Sequence, residues 1–151
     1  MRVSIVAVGK LKNSPERDIC DRYLKRMHPS PIIKEVEEKR NFPTNILKKR
    51  EGSLILESCP SGTILIALDE GGPQQTSLGF AETMRSAIRE GRDLTYIIGG
   101  ADGLSGEVLQ NVSQKLSLGR MTWPHALVRA MLLEQLYRAQ QILAGHPYHR
   151  G

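Results

Sequence analysis

Apolar and polar positions along the chain follow two alternating periods, which predicts β-strands separated by α-helices. Short apolar runs predict strands at 3–8, 32–37, 63–68, 94–98 and 116–118. Apolar residues at helical spacing predict helices that begin at Pro15, Thr44, Ser77 and Ser105. The second of these is predicted to end near Ser58, and the fourth near Gln114. Strands that alternate with helices indicate an α/β domain with a largely parallel central sheet.

The longest predicted helix covers residues 125–144, where good helix formers dominate and neither Pro nor Gly intervenes. Pro124 suits the first helical position, Gly145 suits a left-handed cap, and Pro147 prevents the helix from resuming. His125 and Arg129 fall on one side of this helix.

Glu134 and Arg138 form a second polar pair one turn apart, and Arg138 points nearly opposite to Arg129. The remaining circumference is mostly apolar, so we expect the helix to have partners on more than one side. One of these partners could be a second copy of the chain.

Glycine follows three consecutive predicted strands, as Gly71-Gly72, Gly99-Gly100 and Gly119. Ligands of parallel α/β sheets bind outside the carboxyl ends of the strands, and glycine lets a ligand approach the backbone. Ordinary strand-to-helix turns also use glycine, but three successive cases favour a binding pocket. No dinucleotide fingerprint, phosphate loop or nucleophile elbow occurs. An adenosine-like ligand held by backbone groups therefore suits the pocket.

The chain is basic, with a net charge of +5 over 151 residues, which favours a polyanionic partner. Its basic residues cluster at 10–12, at 39–40 and 48–50, and at 146–150. The middle cluster could equally be a solvated helix face. The last cluster mixes Tyr148 with cationic groups, as RNA contacts often do.

Three further features bear on location and cofactors. Cys20 and Cys59 lie far apart and are expected to be buried, reduced thiols. No leader pattern and no membrane-length apolar run occur, so we expect a soluble cytoplasmic protein with a single domain over 1–151. His146 and His149 lack the further ligands of a metal site, and no metal is predicted.

Four segments resemble the ribosomal RNA large subunit methyltransferase H family over the whole chain. They are Ile-Ile-Gly-Gly-Ala-Asp-Gly-Leu-Ser at 97–105, Trp-Pro-His-Ala-Leu-Val-Arg at 123–129, Glu-Gln-Leu-Tyr-Arg-Ala at 134–139 and His-Pro-Tyr-His-Arg at 146–150. The resemblance implies a SPOUT-type parallel-sheet domain with a carboxy-terminal trefoil knot, and a homodimer formed around it. It also implies methyl transfer from S-adenosylmethionine to N3 of a pseudouridine in large-subunit (23S) rRNA. The substrate is expected to be an assembled ribosome.

The resemblance implies cofactor contacts at eight positions: Leu68, Gly100, Gly119, Arg120, Met121, Thr122, Trp123 and Pro124. Two departures from the family pattern concern this site. Ala101-Asp102 stands where Pro-Glu is common, and Trp123 replaces a smaller apolar residue. Trp123 either stacks on the adenine or, as we expect, packs against the knot.

Six residues are candidates for catalysis: His125, Arg129, Arg138, Tyr148, His149 and Arg150. The imide nitrogen of the target base reacts as an anion, which cationic side chains would stabilise. We expect Tyr148, His149 and Arg150 to reach the cofactor of the partner subunit.

Each candidate also has a structural interpretation. His125 could cap the helix, Arg129 could hold carbonyls of the cofactor loop, Glu134 could orient Arg138, and the tail could fray. A non-enzymatic RNA-binding module and a nucleotide-dependent oxidoreductase are the competing functions.

Overall fold

The fold consists of five strands and five helices that alternate along the chain, and the computed structural model describes residues 1–151. The strands are β1 (Val3–Val8), β2 (Ile32–Val36), β3 (Ile64–Leu68), β4 (Leu94–Ile98) and β5 (Gln114–Leu116). The helices are α1 (Pro15–Arg26), α2 (Thr44–Ser58), α3 (Ser77–Arg89), α4 (Gly106–Asn111) and α5 (His125–Leu143).

The strands form one parallel sheet in the order β2-β1-β4-β3-β5, which confirms the predicted α/β class. Strands β3, β4 and β5 are neighbours, so the three glycine-containing strand ends meet at one edge of the sheet. Strand β1 lies on the other side of β4, with Ile5 opposite Tyr96. The loop after β1 therefore opens at the same edge.

Helices cover both faces of the sheet because side chains alternate along each strand. Ile5 and Tyr96 join a large core cluster with α1, α3 and α5, whereas Val6 and Ile97 join a smaller cluster with α2 and α4. These four side chains are fully buried. The central strands read as continuous apolar runs because both of their faces are covered.

Most helix starts follow from local capping chemistry. The Ser14 side chain accepts a hydrogen bond from Arg17 N before α1, as predicted. Helix α3 is capped by Thr76 rather than Ser77, and the Ser77 hydroxyl instead donates to Gln135 on α5. Pro124 precedes α5 as its N-cap instead of occupying the first helical position.

The predicted bounds of the helix and the strand within residues 105–118 were wrong. Helix α4 ends at Asn111, and β5 covers Gln114–Leu116, two polar residues and a buried leucine, instead of 116–118. Ser117 forms only an isolated bridge with Gln74. Strand β5 is a short edge strand, so its exposed residues carry no alternating apolar signal.

Helix α5 packs between α1 and α3 on one face of the sheet. Leu132, Leu133 and Leu136 are almost completely buried there. Ile88, near the end of α3, is 51 % exposed. No helix combines the length and the apolar character needed to cross a membrane.

Both cysteines are free thiols, but only Cys20 is buried and Cys59 is half-buried. Burial raises the pKa of Cys20 to about 11, so that thiol stays protonated at neutral pH.

Candidate functional site

A cavity of about 260 Å³ lies at the carboxyl ends of β3, β4 and β5. This volume is slightly below the range for small-molecule sites, roughly 300–1,000 Å³. The lining residues come from the three strand ends, the loops that follow them and the start of α5: Leu68, Asp69, Glu70, Ile98, Gly99, Ala101, Asp102, Gly103, Leu104, Leu116, Leu118, Gly119, Met121, Thr122, Trp123, His125 and Val128.

Two glycines of the cavity loops are required by geometry. A Cβ on Gly99 would lie 3.0 Å from the backbone of Gly103, tighter than nine in ten such contacts, so that backbone would have to shift. Gly119 has a φ of +132°, a conformation that L side chains rarely adopt. Backbone groups therefore reach the cavity without intervening side chains.

The cavity is acidic although the chain as a whole is basic. Asp69, Glu70 and Asp102 line it, whereas no lysine or arginine does. Burial, and after it the charge of Asp102, raises the pKa of the neighbouring Glu51 above its ordinary value. Such surroundings favour a ligand with a positive charge.

One hydrogen bond joins two of the cavity loops. The Thr122 hydroxyl donates to Glu70 over 2.8 Å, so the loop after β5 is tied to the loop after β3. The Ser117 hydroxyl, which donates to Gly119 O at 2.8 Å and accepts from Gly119 N at 3.1 Å, stabilises the turn between them.

Five of the eight residues predicted to bind the cofactor line this cavity: Leu68, Gly119, Met121, Thr122 and Trp123. Gly100 adjoins the lining residue Gly99, while Arg120 and Pro124 are exposed and do not line it. Trp123 is 42 % exposed, so this chain alone does not bury it.

The sequence interpretation missed several lining residues, including Asp69, Glu70 and Val128. The two acids directly follow β3, and their position next to a glycine-containing strand end was the available signal. Val128 faces the cavity from the first turn of α5.

Arg129 holds the loop after β1 and does not hold the predicted cofactor loop. Its guanidinium donates to Gly9 O over 3.0 Å and to Glu35 over 2.5 Å, and the residue is 2 % exposed. Partial burial raises the pKa of Glu35, but hydrogen bonds from Arg129 and Leu11 N outweigh it and hold this pKa below its ordinary value. Arg129 is therefore buried in an ion pair.

His125 lies between the cavity and the same loop. Its Cε1 occupies the space beside Gly9, 3.3 Å from where a Cβ would be, and its Nδ1 is buried without a hydrogen-bond partner.

The carboxy-terminal tail docks on α5 of its own chain and does not fray. Glu134 accepts hydrogen bonds from Arg138 Nε at 3.0 Å and from the Tyr148 hydroxyl at 3.1 Å. The Tyr148 ring meets Tyr137 edge to face with centroids 4.8 Å apart, and Arg138 lies over the Tyr148 ring. His149 Nδ1 is 3.1 Å from Arg138 Nη1.

These contacts define a tail cluster of four residues: Glu134, Arg138, Tyr148 and His149. An arginine can only donate, so His149 Nδ1 is the acceptor in its contact with Arg138. Burial, and then the bond to Glu134, raises the pKa of Tyr148 to about 12. The bond to Glu134 also raises the pKa of Arg138. Tyr148 is therefore a hydroxyl donor and Arg138 a fixed cation at neutral pH.

The six candidate catalytic residues fall into separate groups. His125 and Arg129 lie at the cavity end of α5, and the tail cluster lies at its other end. His125 and Arg138 are 13 positions apart on one helix, or about 20 Å at 1.5 Å per residue. Arg150 is exposed and belongs to neither group. One chain does not bring these groups to one reacting atom.

The parallel sheet and the glycine-lined cavity at its carboxyl edge define an α/β ligand-binding domain of the type found in many enzymes. Residues 1–149 match the family model described as predicted SPOUT methyltransferase. The chain belongs to the SPOUT methyltransferase family. This finding confirms the predicted family, its parallel-sheet fold and its class of enzyme; the path of the knot stays a prediction.

Three curated relatives are each named ribosomal RNA large subunit methyltransferase H. The protein from Paramagnetospirillum magneticum is 50 % identical over 151 residues, which are 99 % of each chain. The protein from Gluconacetobacter diazotrophicus is 46 % identical over 97 % of this chain and 96 % of its own. The protein from Rhodospirillum centenum is 46 % identical over the full length of both.

Proposed function

We propose that the chain transfers a methyl group from S-adenosylmethionine to N3 of a pseudouridine in large-subunit (23S) rRNA. The observation that carries this proposal is an acidic, glycine-lined cavity at the carboxyl edge of a SPOUT sheet in a protein of net charge +5. The names of the full-length relatives support rRNA as the substrate. Methylation of rRNA places the reaction in the bacterial cytoplasm, with the ribosome.

The cavity residues fit S-adenosylmethionine. When bound, this donor supplies an activated methyl group on a positively charged sulfur. Asp69, Glu70 and Asp102 complement a cationic ligand, and the backbone around Gly99 and Gly119 is open for hydrogen bonding. We assign the binding role to the cavity and its flanking positions Gly100, Arg120 and Pro124.

The tail cluster supplies groups that suit the target base. N3 of pseudouridine is an imide nitrogen between two carbonyl groups, and it attacks after it loses a proton. Arg138 is a permanent cation that would stabilise the resulting negative charge. His149 is close enough to Arg138 to share this task, and the proton of N3 is released to solvent. Tyr148, whose hydroxyl proton is donated to Glu134, is suited to accept a hydrogen bond from the base or to stack on it.

We assign the active site to two subunits of a homodimer. Arg138 of the tail cluster lies about 20 Å along α5 from His125 of the cavity, so we assign the meeting of these two groups to a second chain. Apolar side chains near both regions are exposed, including Leu78, Met121 and Trp123. In this arrangement the tail of one chain, with Arg150, covers the cavity of its partner.

The test is deletion of residues 148–151 in the dimer, with removal of Gly151 alone as the matched control. We expect methyl transfer to large ribosomal subunits to fall about 100-fold or more, the range for loss of acid–base or charge-stabilising groups. Calorimetry should show unchanged affinity for S-adenosylmethionine. Equal loss of transfer and donor binding would contradict the assignment.

A separate experiment tests the reaction itself. Mass spectrometry of 23S rRNA from cells with and without the gene should show loss of one methyl group from one pseudouridine. Unchanged rRNA, or failure of the purified chain to bind S-adenosylmethionine, would favour a non-enzymatic RNA-binding module.

A further inference from the structure

The loop between β1 and α1, residues 9–13, is held rigidly although it is short and carries two lysines. Gly9 N donates to Val36 O over 2.9 Å, and Gly9 O accepts from Arg129 over 3.0 Å. Leu11 N donates to Glu35 over 3.0 Å. The Leu11 side chain packs against the main core cluster. The backbone on both sides of Lys10 is therefore fixed.

Arg129 and Glu35 both form hydrogen bonds to the backbone of this loop. Arg129 is 2 % exposed and gives its two terminal nitrogens to Glu35 and Gly9. Glu35 in turn accepts from Leu11. The carboxylate that contacts the loop is thus already paired with a cation, and it leaves the lysine charges uncompensated.

Both lysines are exposed, and neither forms an ion pair with a carboxylate. Lys12 has a φ of +51° and is the one residue other than glycine with a positive φ. Asn or Gly would adopt this conformation more readily. Residues held in strained backbone conformations concentrate at functional sites. A fixed, strained loop with two free cations is suited to bind an anion.

The loop lies beside the candidate cavity. Gly9 packs against His125, which lines the cavity. A Cβ built on Gly9 would lie 3.3 Å from His125 Cε1. Val8, the last residue of β1, fills the space next to Gly100. If a target base is held at the cavity, the phosphate backbone of its RNA strand would pass the loop at residues 9–13.

We infer that Lys10 and Lys12 bind the phosphate backbone of the substrate rRNA next to the target nucleotide. Arg129 and Glu35 are positioning residues that hold the loop in its binding conformation. The inference rests on the proposed methylation of rRNA, and it adds a second RNA-contacting element to the tail. Lysine suits phosphate recognition as a compact point charge.

The test compares Lys10→Gln/Lys12→Gln with Arg92→Gln, using methyl transfer to purified large ribosomal subunits from cells that lack the gene. Arg92 is exposed, forms no ion pair with a carboxylate and precedes β4 at the opposite edge of the sheet, beside α3. We expect the double variant to raise KM for the subunits about 10-fold, with little change in kcat. The slope of log affinity against log salt should fall by about 1.5, since each phosphate contact contributes about 0.7–0.9.

A third variant, Lys12→Gly, separates charge from backbone conformation, because glycine keeps the positive φ and removes the cation. This variant should weaken binding of the large ribosomal subunit as much as Lys12→Gln does. Donor affinity should be unchanged in every variant.

Three results would overturn the inference. These are an unchanged KM and salt slope in the double variant, an equal effect of Arg92→Gln, and a loss of donor affinity. Wild-type activity in the same assay separates these failures from failure of the proposed function.

Discussion

The ion pair between Arg129 and Glu35 gives a quantitative test of how α5 holds the loop after β1. Arg129→Leu removes the guanidinium but keeps apolar bulk in a site that is 2 % exposed. A hydrogen bond to a charged partner contributes about 1.5–3 kcal/mol, and one to a neutral carbonyl contributes about 1 kcal/mol. We therefore expect Arg129→Leu to lower the free energy of unfolding by about 3 kcal/mol.

Glu35→Gln should destabilise less, by about 1 kcal/mol, because the amide oxygen still accepts from Arg129 and Leu11. The Glu35 side chain is 32 % exposed, so water screens part of the pair. The coupling free energy from the double-mutant cycle should be about 1–2 kcal/mol at neutral pH. Urea unfolding at a fixed protein concentration measures all four stabilities.

The coupling has a defined pH dependence. The pKa of Glu35 is lower in the native chain than its ordinary value of 4.5. Its stabilisation is therefore fully present above the unfolded-state pKa and is lost as the pH falls through the native-state pKa. A coupling below about 0.5 kcal/mol at neutral pH, or one that persists unchanged in acid, would refute this account of the loop.

Three further predictions concern close packing and charge. Gly52→Ala should lower the free energy of unfolding by about 1–2 kcal/mol, because its Cβ would lie 2.5 Å from Ser105 Oγ. In a Ser105→Gly background the same change should cost less, because only the 3.2 Å approach to Val108 remains, as measured by urea unfolding. Gly99→Ala should weaken S-adenosylmethionine binding about 10-fold or more, since the Gly103 backbone must move; unchanged calorimetric affinity would contradict this. Glu51→Gln should raise stability at neutral pH, because the raised pKa of Glu51 makes its charge unfavourable, and the gain should disappear in acid.

Local signals predicted much of the scaffold. The Ser14-Pro15 start of α1 and the apolar runs of β1 and β4 depend on neighbouring residues and on burial of both sheet faces. The cavity was predictable as a region because parallel strands end at one edge. Strand β5 was misplaced because its polar residues pair only at the sheet edge.

The partners of the polar side chains on α5 could not be predicted from spacing. Arg129 pairs with Glu35 and Gly9, which are 94 and 120 positions away in the chain. Helical periodicity correctly placed Arg129 and Arg138 on different sides but carried no information on what they contact. The docking of Tyr148 on Glu134 and Tyr137 likewise depends on a chain reversal after Gly145, whose φ is +72°.

The central claim, an active site shared between two subunits, is tested most directly by mixing two inactive variants. One lacks residues 148–151, and the other carries Leu68→Trp, which fills the cavity. After dissociation and reassociation, half of the dimers should be mixed, and each should hold one intact site. The account predicts recovery of about one quarter of wild-type methyl transfer. A mixture that stays as inactive as its two parents would contradict it.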